Sequence, residues 1–513
     1  MGRPGRRAGG PPVPLRCRRR VAGLPGTRSP SPTYLSRVGA HSDPSASRSP
    51  RPFPFVDARL RSVAPSRLLR ALALLAAGLA GAGCEVVEEV EDRFRDQTPH
   101  EAYRASLEAA GLTGTALARS WIEAGHRSLE EAVEVTLPFS EAGFITPEDP
   151  DAVAYRVRVG RGQRLTARVT LDGDPDTRLF VDLFRVPEDE RNPLRPVLST
   201  DSLWTPLVHE PWRGGEYVLR IQPELLRGGR WDVTLRLEAQ LAFPVADHDV
   251  WAIQSRFGAP REGGRRSHHG VDIFAPRGTP VVATSDGTVR RVEVTRLGGK
   301  VVWLRDAARN ASIYYAHLDS QAVADGDRVT TGDTLGFVGN TGNARTTPPH
   351  LHFGIYRRGE GPVDPEPFIE SPPGALPPRT ADLGRLGSWV RMENPGIRLR
   401  SGPSRLATVI DELEEHAPLR VLGAAGDWYR VRLPNGRGGF VAARLTEPVD
   451  APVGTRVASA SEAVQAAPRA GAPVVAELRP GSEVGVLGRF GGYLYVQAPT
   501  GEVGWLGAAT SQP

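Results

Sequence analysis

Lysine is almost missing from this 513-residue chain: of its 64 basic residues, only Lys300 is a lysine. Methionine is confined to Met1 and Met392, and cysteine to Cys17 and Cys84. Two cysteines cannot make a disulfide framework, so hydrophobic cores must hold the fold. Aromatic residues are 7% of the chain, against 57 glycines and 47 prolines, a balance that favours short strands and turns over long helices. The apolar run from Leu72 to Ala80 is too short to span a bilayer comfortably. Net charge is low, and its distribution excludes a polyanion partner. Residues 1–62 carry 13 arginines against Asp43 and Asp57, so the overall +5 leaves −6 on residues 63–513 and −8 on residues 84–513. An acidic body argues against nucleic-acid binding, and the arginine bias reflects a GC-rich genome instead.

What is present divides the chain, whose length suits about three to four domains. Residues 1–62, rich in Arg, Pro and Ser, read as disordered or as translated from upstream of the true start, with Val63 the alternative. Residues 63–84 place basic Arg67 and Arg70 before the apolar run and small residues before Cys84. That order resembles a bacterial lipoprotein signal, although Gly81 stands where leucine is usual. The resemblance implies a lipidated Cys84, membrane attachment through it, and a cell-envelope location, lipid-anchored periplasmic or secreted.

Residues 85–130 read as a helical spacer, with Thr98, Pro99 and Glu101 forming a capping box. Residues 131–242 alternate apolar and polar positions between Gly and Pro turns, which predicts a jelly-roll-like β-sandwich. No chemistry is evident there, and Trp204 and His209 read as packing or loop residues. Two C-terminal segments, 388–447 and 452–510, repeat at an offset of 65: Trp428-Tyr-Arg-Val against Tyr493-Leu-Tyr-Val, and Gly439-Phe-Val against Gly504-Trp-Leu. Arg400-Ser-Gly-Pro with the segment around Trp428 resembles bacterial SH3-like (SH3b) domains, which implies two small β-barrels. The second copy lacks the Arg-Ser-Gly signature. The first could offer a peptide groove at that loop and Trp428, or both copies could be spacers.

The chemistry lies between, in residues 245–372. Five of the eleven histidines fall between 268 and 352. His350 and His352, one residue apart in HLHF, face the same side of a strand, with Leu351 and Phe353 facing a core. His268 and Asp272 stand four apart, and His317 lies just beyond a strand. Two neutral imidazoles and one carboxylate would leave a zinc ion with net positive charge and an open position. Further histidines nearby could move protons.

HHGVDIFAPRGTPV, YYAHLD and HLHF, in this order, resemble the lysostaphin-type (LytM-like) zinc endopeptidases that cut peptide cross-bridges of bacterial cell walls. The resemblance spans roughly Val250 to Pro367. It implies an antiparallel β-sheet domain with a narrow groove, and hence a mainly β, multidomain chain. Carried over by position, His268, Asp272 and His352 would hold one zinc ion; His350 and His317 would be catalytic, His350 as general base. His269 occupies a variable position, and His248 receives no role. The chain departs from the family in the ARTTPP run, Ala344 to Pro349, and in Gly354, where an acidic residue is common. The function implied is zinc-dependent cleavage of peptidoglycan stems or cross-links. The alternatives are a non-catalytic activator of other wall hydrolases, which typically lacks some of these five positions, and a structural wall-binding lipoprotein.

Overall fold

The computed structural model describes residues 97–507 apart from 174–175, 190, 202–205 and 373. The leader, the signal-like segment, both cysteines and Trp204 lie outside the described residues. No helix among the described residues is long and apolar enough to cross a membrane.

The expected capping box opens the helix Pro99–Ala109. The Thr98 hydroxyl accepts from the Glu101 N–H at 3.2 Å, and the Glu101 carboxylate accepts from the Thr98 N–H at 2.8 Å. A second helix, Ala116–Glu130, follows with Thr115 as its cap. The pair is no free spacer. Trp121 is buried against Leu107 and Phe180, and its indole N–H donates to the Pro223 carbonyl at 2.8 Å. Burying a tryptophan and its partners this way removes several kcal/mol worth of apolar surface from water, so the helices belong to the domain they cover.

That domain is built from two facing sheets. One sheet runs Val133–Glu134, Val153–Val159, Gly215–Pro223, Leu179–Arg185, Arg195–Thr200. Facing it are Phe139–Ile145, Gly229–Ala239, Gln163–Asp172 and Leu207–His209. Alternate residues of both sheets, among them Tyr155, Val157, Leu165, Leu219, Trp231 and Val233, fill one core.

The C-terminal repeat is carried through every strand. Trp389–Met392, Ile397–Arg400, Val409–Leu413, Pro418–Ala425, Trp428–Arg432 and Gly438–Ala442 recur 65 residues later, as Gly454–Val457 through Val503–Gly507. Even the bulges at Leu399/Arg400 and Val421/Gly423 recur, at Val464/Gln465 and Val486/Gly488. Among the described residues neither unit forms a closed sheet, so the barrels that the resemblance implied are not found. The second is an open six-stranded sheet ending on Gly454–Val457 and Val474–Leu478.

The first unit is instead drawn into the sandwich. Strand Pro418–Ala425 pairs with Phe139–Ile145, Ala142 opposite Ala424 and Gly143 opposite Gly423, so sandwich and repeat share one continuous eleven-stranded sheet. Glycine is required at this seam. A Cβ at Gly143 would come within 2.2 Å of the Trp231 ring, and one at Gly423 within 2.4 Å of the Glu141 carboxylate. Trp428 is buried with Phe440 against Val133 of the sandwich, and a cleft of about 1360 Å³ that Ser401, Gly402 and Pro403 also line opens beside it.

The domain that carries the histidines is an antiparallel sheet ordered Ile253–Ser255, Val271–Phe274, His350–Arg357, Ala311–Leu318, Gly299–Asp306, Gly287–Thr295, Arg328–Val329. Val271, Ile273, Ile313, Tyr315, Leu351 and Phe353 pack into its core on one face. Their sequence neighbours face the other way, which is where the chemistry sits.

Candidate metal centre

Register alone brings most of the site together. Strands Val271–Phe274 and His350–Arg357 pair with Asp272 opposite His352 and Phe274 opposite His350. Directly opposed residues share a face, with Cβ atoms roughly 5 Å apart. Asp272 and His352 therefore meet, while the Phe274 ring stacks on His350 with centroids 4.9 Å apart. His268 reaches the same point from the segment before Val271. Gly270 permits this approach, because a Cβ there would come within 2.3 Å of the Phe353 carbonyl oxygen and 2.9 Å of the His352 ring.

Three donor atoms converge. His268 Nε2 lies 3.0 Å from Asp272 Oδ1 and 2.9 Å from His352 Nδ1, and His352 Nδ1 lies 2.9 Å from Asp272 Oδ1. Among the described residues this is the group of three or more such side chains that could hold a metal ion. The donor set fits a divalent cation for a specific reason. His268 Nδ1 is 2.9 Å from the Arg256 carbonyl oxygen, so that nitrogen carries the hydrogen and Nε2 presents a lone pair. A second imidazole nitrogen and a carboxylate oxygen crowd the same point, an arrangement that a cation satisfies. Tetrahedral zinc, with bonds of about 2.0–2.1 Å, would hold such donors about 3.3 Å apart.

Charge around Asp272 favours ligation. Burial alone would raise its pKa, but the close contacts with the His268 and His352 rings outweigh this and hold it well below the usual carboxylate range. Arg261 sits on the distal oxygen, Asp272 Oδ2, and also donates to Ser255 Oγ at 2.7 Å. Oδ1 is thus the oxygen left to a metal. Sequence reasoning did not find Arg261, since no motif marks it.

The two remaining histidines flank the cluster. His350 Nδ1 is 2.9 Å from the Pro348 carbonyl oxygen, and His317 Nδ1 is 2.9 Å from the Thr341 carbonyl oxygen. Each ring donates from Nδ1 and keeps Nε2 as a base. Their centroids are 5.1 Å apart, and His317 is 5.9 Å from His352. Burial first, then the nearby His352 and His350, lower the His317 pKa to about 4, so it is neutral at physiological pH. His269, exposed, stands aside from the three donors, and His248 bonds only its own loop, at Ala246 O.

His317 belongs to the strand Ala311–Leu318 and not to the turn beyond it. Strict alternation would send it into the core with Ile313 and Tyr315. A bulge between Lys300 and Val302 interrupts the pairing there, and His317 adopts φ +63, the left-handed region. The side chain is thereby turned toward the metal cluster. Thr341 holds this conformation: its hydroxyl donates to the Leu318 carbonyl at 2.8 Å and accepts from the Lys300 N–H at 2.9 Å. Replacing Thr341 with valine removes both bonds at nearly constant volume. Turnover is expected to fall roughly ten- to a hundredfold with metal content unchanged, and Thr341→Ser to restore it. Equal activity in Thr341→Val would show that the hydroxyl does not position His317.

These side chains line a cavity of about 530 Å³. Trp303, Tyr314 and Tyr356 wall one end; Asn343, Ala344 and Thr347, from the unusual loop before HLHF, wall another part. Trp303 and Tyr314 are 4.3 Å apart. A side chain at position 354 would intrude here, since a Cβ at Gly354 would lie 3.2 Å from the Tyr356 ring.

Residues 266–365 match the model of Peptidase family M23, and residues 395–447 that of the Bacterial SH3 domain. The L-Ala--D-Glu endopeptidase of Bacillus subtilis (strain 168) is 37% identical over 141 residues, 25% of this chain and 43% of that protein. Peptidoglycan DD-endopeptidase ShyC of Vibrio cholerae is 40% identical over 95 residues, 18% of this chain and 21% of that protein. The catalytic domain of lysostaphin from Staphylococcus simulans is 29% identical over 25% of this chain and 91% of its own, with a TM-score of 0.20. The chain thus spans less than half the length of these two curated relatives. With the His-Asp-His cluster in place, residues 266–365 form a Peptidase family M23 domain of the lysostaphin/LytM type, in a chain that also carries a bacterial SH3 domain.

Proposed function

We propose that this chain is a zinc-dependent endopeptidase that cleaves peptide bonds of peptidoglycan in the bacterial envelope. The observation that carries the reading is the set of three donor atoms within 3.0 Å of one another, flanked by two histidines whose Nε2 atoms are free to act as bases. His268, Asp272 and His352 would hold the ion. When bound, zinc supplies a Lewis acid that polarises a carbonyl and makes water more acidic. His350 takes the proton of the attacking water at Nε2 and delivers it to the leaving amine. The Pro348 carbonyl and the Phe274 ring keep that imidazole in one tautomer and one orientation. His317, neutral and held by Thr341, orients the water or stabilises the developing oxyanion. The M23 relatives' names, an L-Ala--D-Glu endopeptidase and a peptidoglycan DD-endopeptidase, support peptidoglycan peptides as the substrate class.

All five positions carry the residue types that chemistry needs, which favours an enzyme over a non-catalytic activator. The test is digestion of purified peptidoglycan by the zinc-loaded chain, with new termini identified by mass spectrometry. New amino termini within stem peptides or cross-links are expected. Intact walls in the presence of stoichiometric zinc would overturn the reading in favour of the activator. Attachment through a lipidated Cys84 rests on the basic–apolar–small–Cys order from Arg67. Cys84→Ser should release the protein from membranes, and unchanged membrane binding would refute the anchor.

A further inference from the structure

The sheet has a second cavity on the face away from the metal cluster. Tyr315 marks that face: its hydroxyl bonds the Thr284 N–H at 3.1 Å and the Thr284 hydroxyl at 3.0 Å, whereas its neighbour Tyr314 contacts His352. The cavity is about 830 Å³, within the usual range for ligand sites, and lies where the sandwich meets the peptidase domain.

Two observations there have no structural purpose. Trp251, at the rim, is 88% exposed. Tryptophan is seldom left this open, because its large apolar surface favours burial. The ring is not on a loose loop. The Asp249 carboxylate accepts from the Trp251 N–H at 3.0 Å and its carbonyl from the Ala252 N–H at 3.0 Å, fixing a short helical turn. Inside the cavity, Ser285 is only 3% exposed, yet its hydroxyl has no hydrogen-bond partner among the described residues. The same holds for Arg309 Nε, although that guanidinium also pairs with Asp306 and Glu210. A buried polar atom left unpaired costs roughly 1–3 kcal/mol unless something binds it.

From these features we infer that this cavity binds a saccharide of the wall's glycan strand, separately from peptide cleavage. The ligand class follows from the lining. Asp249, Asp286 and Glu370 disfavour an anion, while Arg164 and Arg309 are already neutralised by Glu210 and Asp306. The lining matches a neutral ligand with a flat apolar face for Trp251 and hydroxyls that donate to the carboxylates and reach Ser285 and Thr331. A pyranose ring has this chemistry. Naming the glycan as its source rests on the peptidoglycan reading; the saccharide site itself does not.

The test titrates the full chain with a peptide-free β-1,4-linked N-acetylglucosamine hexamer, read by calorimetry. Saturable binding is expected. Trp251→Ala should weaken it about tenfold and Ser285→Ala about threefold, with cleavage of a short soluble peptide unchanged in both. No binding at millimolar hexamer, or equal affinity in Trp251→Ala, would overturn the inference. Ser285→Ala guards against a folding artefact, since it removes a hydroxyl that makes no bond within the protein. An enzyme that binds hexamer but cuts no wall would refute the proposed activity and leave this site standing.

Discussion

Alanine at His350 is expected to leave zinc near one per chain while lowering turnover on the order of a hundred- to ten-thousand-fold. Alanine at His352, two residues along the same strand, is expected to remove the zinc itself. The contrast follows from which nitrogen each ring presents. His352 Nδ1 lies 2.9 Å from both Asp272 Oδ1 and His268 Nε2, so it is one of three protein donors. Losing one donor of three should collapse affinity and lower the stability of the surrounding sheet, since metal binding and folding are linked. His350 Nδ1 is committed to the Pro348 carbonyl, and its ring stacks on Phe274. On the proposed mechanism, deleting it removes a proton carrier and no donor. Elemental analysis for zinc beside turnover of a cross-linked muropeptide decides the matter. Loss of zinc in His350→Ala as complete as in His352→Ala would place the ligand and the base the other way round.

Much of this site was legible because its parts obey short-range rules. The HLHF alternation sends His350 and His352 to one face and Leu351 and Phe353 to the core, and both pairs are found there. Motif positions likewise located His268 and Asp272. His317 reads from the sequence as lying just beyond a strand and lies within it instead, because a bulge and a left-handed residue leave no mark on apolar periodicity. Arg261 was missed for a related reason: a single arginine among 63 carries no signal until the fold sets it against Asp272. The domain map shows the same limit. The 65-residue repeat was visible as aligned aromatics, whereas the seam joining the first repeat to the sandwich was not. That seam is made of backbone hydrogen bonds and of Glu141 and Arg430, which are 289 residues apart. Strand pairing at such distances has no local side-chain pattern; only glycines at 143 and 423 hint that two backbones approach closely.

The seam predicts the largest loss of stability from a single substitution. Glu141 is fully buried, and both its oxygens are taken by Arg430, Nε to Oε1 at 2.7 Å and Nη2 to Oε2 at 2.8 Å. Oε2 also accepts from the Tyr155 hydroxyl at 2.9 Å. Arg430 lies over Phe440, 4.7 Å from the ring centre, and burial that would disfavour its charge is outweighed by Glu141, which raises its pKa. Taking two charges out of water offsets much of their attraction, so the pair as a whole adds little net stability. Removing one member is different, because the other is left charged and enclosed. Glu141→Ala is expected to cost about 3–5 kcal/mol, read as a lowered urea midpoint, and to release the first repeat from the sandwich earlier in the transition. Arg430→Met should cost a similar amount. Joining Glu141→Leu to Arg430→Met should lose much less than the two separate costs combined, because no unpaired charge remains. If the losses simply add, the two residues are not coupled across the sheet. A shift of under about 1 kcal/mol for Glu141→Ala, the range of exposed pairs, would mean that water reaches the seam and that the eleven-stranded sheet is not one cooperative unit.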